Sequence, residues 1–323
     1  MVLIRFIHPD LEDDPIYEQW VDAQQEGKTP DWRDLFDWLG RHPRTPYQND
    51  EVLSTRPAKC WFSEMYVAAR YGKDVEHFRP KKSGDQLSQR QRQALKEKLG
   101  YLPDQAPDFA QGYQWLEFEP INYRLSHPHV NRSGAKYTHF PLHAASPRLP
   151  VGELPDFQQR VEYAYLLDPS HPDDQAMLLV LPDGSIVPRD AEGPKPAGDL
   201  MNIWDTPAMR NLRAWLSIIV YQLDHPDFNR GRKGVYAETE EAMRALEQAL
   251  TLGSPQWVED TTQTLFRLGA APSLFALAAR CAMQAAVASW DETNPLEKTL
   301  SQAIKTLLLQ YQQLEHPPQS PPA

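Results

Sequence analysis

At 323 residues, with 41% apolar side chains and two cysteines, the chain is long enough for one large or two ordinary domains. It is too poor in cysteine for a disulfide framework or a four-cysteine zinc site. A net charge of −11 argues against a general nucleic-acid binder, yet residues 59–148 hold 14 Lys and Arg against 9 Asp and Glu, a basic stretch of +5 inside a remainder of −16. No stretch of about 20 residues is free of charge and proline, and the most apolar one, 271–290, carries Arg280 and reads as a buried helix. Residues 1–7 lack the basic start and cleavage site of a signal peptide. The expectation is a cytoplasmic protein with no membrane partner, its cysteines reduced.

In chain order, residues 1–55 are predicted to form a mostly helical lead-in, with Trp32, Leu35, Phe36 and Leu39 on one helical face and Pro43 and Pro46 as breakers. Residues 56–150 form a different module. Short strands are expected around 74–78 and 115–118, with a polar, basic helix over 86–99 stopped by Gly100 and a proline-containing loop over 101–111. Residues 151–200 are a loop and hairpin extension in which Asp183-Gly184 turns a strand pair. Residues 201–315 read as all helical. Leu212, Trp215, Leu216, Ile219 and Leu223, then Met243, Leu246 and Leu250, then Leu300, Ile304, Leu307 and Leu308 recur at the spacing of helix–helix core. Residues 316–323 are expected to be a disordered tail.

The chemistry concentrates in two strings. The first is KDVEHFRPKK at 73–82. It sets Glu76 beside His77, with Arg79, Lys81 and Lys82 following as cations suited to phosphate. Neighbours in a strand point to opposite faces, so Glu76 and His77 can share a site only where the chain bends. The second is WLEFEPINYRLSHPHVNRSGAK at 115–136, where Asn122 and Asn131 stand nine residues apart and Arg132 and Lys136 follow. Asparagine is an uncharged oxygen ligand that, with a carboxylate, suits Mg²⁺.

An acidic residue next to His, a middle Asn and a third His or Asn resembles the HNH (ββα-metal) endonuclease motif. The interval between the asparagines is similar to that in the HNH domain of the RNA-guided CRISPR nucleases. The phrases KCWFSE, VEHFRPKK, WLEFEPINYRL, HFPL and LLDPSHPDD resemble the HNH nucleases of bacterial anti-phage systems of the Septu and retron type, often encoded beside an ATPase. The specific motifs span residues 59–190, and SIIVYQLDHPDF extends the likeness weakly.

That resemblance implies an α+β protein with a small ββα-metal core embedded in a mostly α-helical body. It implies hydrolysis of phosphodiester bonds in DNA, as the effector of an anti-phage system acting with an ATPase partner. His77 would be the general base, and Asn122 would brace the loop and orient it. Glu76 and Asn131 would hold one Mg²⁺ or Mn²⁺, while Arg79, Lys81, Arg132 and Lys136 would grip phosphates. The alternatives are an inactive HNH-fold nucleic-acid-binding or scaffold subunit, and a nuclease that cleaves RNA.

Relatives often carry two CxxC knuckles around a structural zinc. Here Cys60-Trp-Phe-Ser63 stands at the first and His127 and Val130 at the second, so a structural zinc is not expected, and Cys60 with His127, His129 or His143 is a makeshift set at best. His139 is open between metal ligand, phosphate contact and packed histidine. Asp74 reads as a surface carboxylate, and Arg90, Arg92, Lys96 and Lys98 as a solvated face or a nucleic-acid-facing ridge. Asp168, Asp173 and Asp174, set among prolines, read as turn chemistry.

Overall fold

A computed structural model describes residues 47–315, apart from 68–73, 133, 157–160 and 191–194, and a few isolated positions before 47. The predicted helical face of Trp32, Leu35 and Phe36 and the predicted tail lie outside the described residues; Leu39 is buried in the core.

The first element whose bounds fall within the described residues is α1 (Glu51–Ser54), capped by the Asp50 carboxylate, which accepts from the amides of Val52 and Leu53. β1 (Asp74–His77) follows. α2 (Gln89–Leu99) starts at a reciprocal capping box between Ser88 and Gln91 and stops at Gly100, whose φ of 74° is the left-handed conformation that glycine adopts without steric cost.

The strand expected around 115–118 is not there. Pro120 has no amide to donate to a ladder, and residues 114–116 and 120–122 close instead as 3-10 turns, with Leu116 N–H donating to Tyr113 O and Asn122 N–H to Glu119 O. The strand lies just beyond, as β2 (Tyr123–Ser126), which pairs antiparallel with β1 so that Glu76 faces Arg124 and His77 faces Tyr123. α3 (Pro128–Asn131) follows at once and packs against β1.

After α4 (Pro172–Gln175), β3 (Leu178–Val180) and β4 (Ile186–Pro188) form the second two-stranded sheet around Asp183-Gly184. A Cβ on Gly184 would lie 2.0 Å from Asn229 O, so the turn needs glycine both for its φ of 86° and for its close approach to the following helical body. That body comprises α5 (Leu200–Ile203), α6 (Pro207–Val220), α7 (Pro226–Thr251), α8 (Pro255–Gly269), α9 (Ala276–Ser289) and α10 (Pro295–Glu315). α7 is its spine and packs against α8, α9 and α10, while α6 packs against α2 and β4, and α9 against β3. Leu212, Leu216, Met243, Leu246, Leu300, Ile304 and Leu307 all face the core. None of the described helices is long and apolar enough to cross a membrane.

The buried apolar side chains form one continuous cluster that runs from Trp38 through both sheets to Tyr311. Trp61 and Phe62 sit fully inside it, Phe62 with its ring 4.4 Å from that of Tyr221, each contributing on the order of 2–3 kcal/mol of burial. A buried ion pair in the segment before β1 ties that segment to the helical body. Lys59 Nζ lies 3.5 Å from Glu64 Oε1 and donates to Ser273 O at 2.8 Å, while Leu277 N–H donates to Glu64 Oε2 at 3.1 Å. The body is therefore docked by polar groups that cannot be stripped apart without leaving buried charges unpaired.

Candidate active site

β1, α3 and the turn after it enclose an open cleft lined by Asp74, Val75, Glu76, His77, Pro80, Lys81, Lys82, Asn131, Arg132, Tyr137 and Thr138. All four residues of β1 line it, so the cleft follows the strand's edge rather than one of its faces. That is how Glu76 and His77, on opposite faces of a strand, both reach it.

His77 ends β1. Its Nε2 lies 2.9 Å from Glu117 O, the same carbonyl that accepts the Tyr123 hydroxyl at 2.5 Å. A carbonyl only accepts, so Nε2 carries the hydrogen and Nδ1 the lone pair. The ring stands edge-on to Tyr123 at 5.1 Å. Burial pushes the imidazole down to about 4, outweighing the Glu117 carbonyl, so the ring is neutral at physiological pH.

Glu76 is buried opposite Arg124, and burial pushes its carboxyl up to about 7 against the pull of Lys136. Its Oε1 forms an ion pair with Lys136 Nζ and meets no other donor among the described residues. Asp74 also lines the cleft, half-buried, and burial raises its carboxyl too, with Arg132 Nε 3.8 Å away. It is more than a surface carboxylate. Asn131, the last residue of α3, completes the wall, its carbonyl accepting from Tyr137 N–H at 3.1 Å.

Asn122 lies outside the cleft and is fully buried. Its Oδ1 accepts from Arg79 N–H at 2.8 Å, its Nδ2 donates to Arg79 O at 2.9 Å and to Leu116 O at 3.3 Å, and its own carbonyl accepts from Phe78 N–H. It clamps the two residues that follow His77 to the turn that carries Glu117.

The four cations expected at phosphate divide. Lys81 and Arg132 line the cleft, Lys81 held at 2.7 Å by Glu117 Oε1 and Arg132 65% exposed. Lys136 does not fit that role: its side chain has no exposed surface, and its ammonium pairs with Glu76 and donates to His77 O at 2.7 Å. A buried carboxylate must be neutralised locally, and Lys136 does that from inside. Arg79 turns away from the cleft and pairs with Glu162 at 2.7 Å.

Arg124 was not singled out by the sequence reading. It is buried, donates from Nε and Nη2 to the two oxygens of Asp168 at 2.7 and 2.5 Å, and from Nη1 to Ile121 O and Tyr123 O, fixing the backbone on both sides of Asn122. Asp174 likewise receives Arg213 and the amide of Asp168. Asp168 does shape the turn, its Oδ1 accepting from Ser170 N–H at 2.9 Å, and Asp168 and Asp174 are in addition partners of buried arginines. A charged residue inside a four-residue strand is the only sequence signal for Arg124, and Glu117, which meets His77 through its carbonyl, leaves none.

His139 Nδ1 lies 2.6 Å from Gln86 O, a structural tether. Arg90, Arg92, Lys96 and Lys98 are exposed, with Lys98 over the Trp215 ring at 4.9 Å. Cys60 is buried and its Sγ accepts from Ser63 N–H at 3.3 Å.

Among the described residues no three His, Cys, Asp or Glu side chains are placed as a metal set. Two carboxyl groups, both raised by burial against the pull of Lys136 and Arg132, share the cleft with Asn131. That oxygen-rich donor set fits a hard divalent cation.

Behind Asn131, His127 stacks on His129 at 5.1 Å and His129 on His225 at 4.7 Å, with Phe228 edge-on to His127. His127 Nδ1 caps α3 by accepting His129 N–H, and His225 Nδ1 caps α7 through Asp227 N–H. Burial, then His129, His225 and Arg132, lower the His127 pKa. The unfolded chain, with His near 6.5, takes up the proton first, so this contribution is full above about pH 6.5 and is lost as pH falls below it. The thermal midpoint is expected to drop between pH 7.5 and 5.5, and His127→Asn, which keeps a cap acceptor without titrating, to flatten part of that drop. An identical pH profile for the variant in a thermal-shift series would remove His127 from the account.

No protein-family model, curated protein or solved structure matches the chain.

Proposed function

We propose that the protein is a metal-dependent HNH endonuclease that hydrolyses phosphodiester bonds in DNA. The observation that carries this reading is the meeting of the adjacent Glu76 and His77 with Asn131, 54 residues further on, at one cleft. Along the chain β1, β2 and the short α3 come in the order strand, strand, helix, with α2 between the strands, which supports the likeness to a ββα-metal core.

His77 Nδ1, with its lone pair set by the Nε2–H donation to Glu117, takes a proton from the attacking water. Asn122 and Arg124 keep the His77 segment from shifting. Lys81 and Arg132 attract the neighbouring phosphates. A Mg²⁺ or Mn²⁺ held by Glu76 and Asn131, with Asp74 beside them, would supply charge stabilisation at the phosphate and the leaving 3′ oxygen. Cleavage of supercoiled plasmid in Mg²⁺ or Mn²⁺, absent in EDTA, tests the reading.

One observation favours a second reading. The Lys136 ammonium already neutralises Glu76, which is what a nucleic-acid-binding subunit without chemistry would need. Silence of the intact protein on plasmid and RNA alike, with binding retained, would decide for it.

The acidic remainder outside residues 59–148 weakens any hold on bare DNA. The resemblance to the anti-phage nucleases supplies the class of the missing partner, an ATPase, for which the α6–α10 body offers the docking surface. Weak, salt-sensitive binding to bare DNA is expected, and a tight complex indifferent to salt would overturn the need for a partner.

A further inference from the structure

We propose that the cleft takes an unstacked nucleotide, with Tyr137 as the platform for its base, so that single-stranded segments are its preferred substrate. This rests on the nucleic-acid reading of the same cleft.

Tyr137 lines the cleft beside Arg132, yet its ring is 61% exposed and contributes little to the core. Its φ of 40° is a left-handed backbone that a bulky L-residue rarely adopts. The surrounding turn enforces it. Tyr137 N–H donates to Asn131 O at 3.1 Å, Lys136 N–H to Val130 O at 3.0 Å and His139 N–H to Lys136 O at 2.7 Å, while the buried Lys136 side chain anchors the turn from beneath. Thr138 Oγ1 donates to Asp85 Oδ2 at 2.5 Å, and Gln91 Nε2 at the start of α2 reaches Ala135 O at 3.4 Å. A rigid turn therefore displays an aromatic ring at the mouth of a cleft that also carries Lys81, the exposed Lys82 and Arg132.

An aromatic face beside cations is the chemistry that binds single strands: phosphates meet the cations and a base stacks on the ring, whatever its identity. In a duplex each base already has stacked neighbours, and the same ring finds only backbone. A protein partner has no matching use for a ring held among phosphate-binding cations at the mouth of a hydrolytic site.

The test is fluorescence anisotropy of a labelled single-stranded DNA oligonucleotide and the duplex of the same sequence. The intact protein is used in EDTA, so that cleavage plays no part. Wild type is expected to bind the single strand more tightly than the duplex. Tyr137→Ala should weaken the single strand by about tenfold with the duplex unchanged, while Tyr137→Phe should keep wild-type affinity. Tyr137→Gly, which relieves the backbone, should behave as the alanine variant, separating the ring from the strain. Equal losses on both ligands, no loss on either, or a phenylalanine variant as weak as alanine would overturn the role of the ring. Failure of wild type to bind either ligand would instead remove the nucleic-acid reading itself.

Discussion

Replacing His77 by alanine is expected to lower plasmid cleavage by about 10²- to 10⁴-fold, the range for loss of a general base. The geometry makes this a test of chemistry more than of folding. The ring packs edge-on against Tyr123, and the segment after it is held by the clamp of the Asn122 side chain on the Arg79 main chain, which the substitution leaves in place. Unfolding and nucleic-acid binding in EDTA should therefore change little while turnover collapses. If the alanine variant cleaves as fast as wild type, the proton leaves by another route and His77 is a packed histidine.

Lys136→Met is expected to cost about 3–5 kcal/mol of unfolding free energy, the range found when one member of a buried ion pair is removed. Glu76 is left without its counter-charge, with burial already raising its carboxyl. The double variant Lys136→Met with Glu76→Gln should regain much of the loss in urea denaturation, because no uncompensated charge remains. The single variant also reports on the metal without any activity assay. If Glu76 and its neighbours hold a divalent cation, Mn²⁺ should raise the thermal midpoint of Lys136→Met more than that of wild type. A single variant as stable as wild type would mean that Glu76 is carried neutral, and an equal response to Mn²⁺ in both would count against a cation site at Glu76.

Local physics explains what could be read from the chain alone. Gly100 stops α2 where the sequence places the stop, because capping chemistry acts locally, while the Ser88–Gln91 box sets its start at Gln89 rather than at the expected residue 86. Asp183-Gly184 sets its hairpin for the same reason, and the leucine spacings of 212–223, 243–250 and 300–308 identify core faces because a helix repeats every 3.6 residues. The adjacency of Glu76 and His77 and the presence of two asparagines downstream were equally legible, as residue types.

The tertiary structure decided everything that depends on which groups meet across the chain. Pro120 displaced the second strand from 115–118 to Tyr123–Ser126, and this shift brings Tyr123 against His77 and Arg124 against Glu76. Lys136 looks from its sequence like one more phosphate-binding cation. It is instead enclosed, because the turn after α3 folds back over β1 and a buried carboxylate there requires a positive charge. Glu117 meets His77 through a carbonyl that every residue possesses, Arg124 acts through an aspartate 44 positions away, and Tyr137 through a backbone conformation imposed by its neighbours. Side-chain type is written in the sequence; burial, tautomer and counter-charge follow only from what long-range packing sets beside each group.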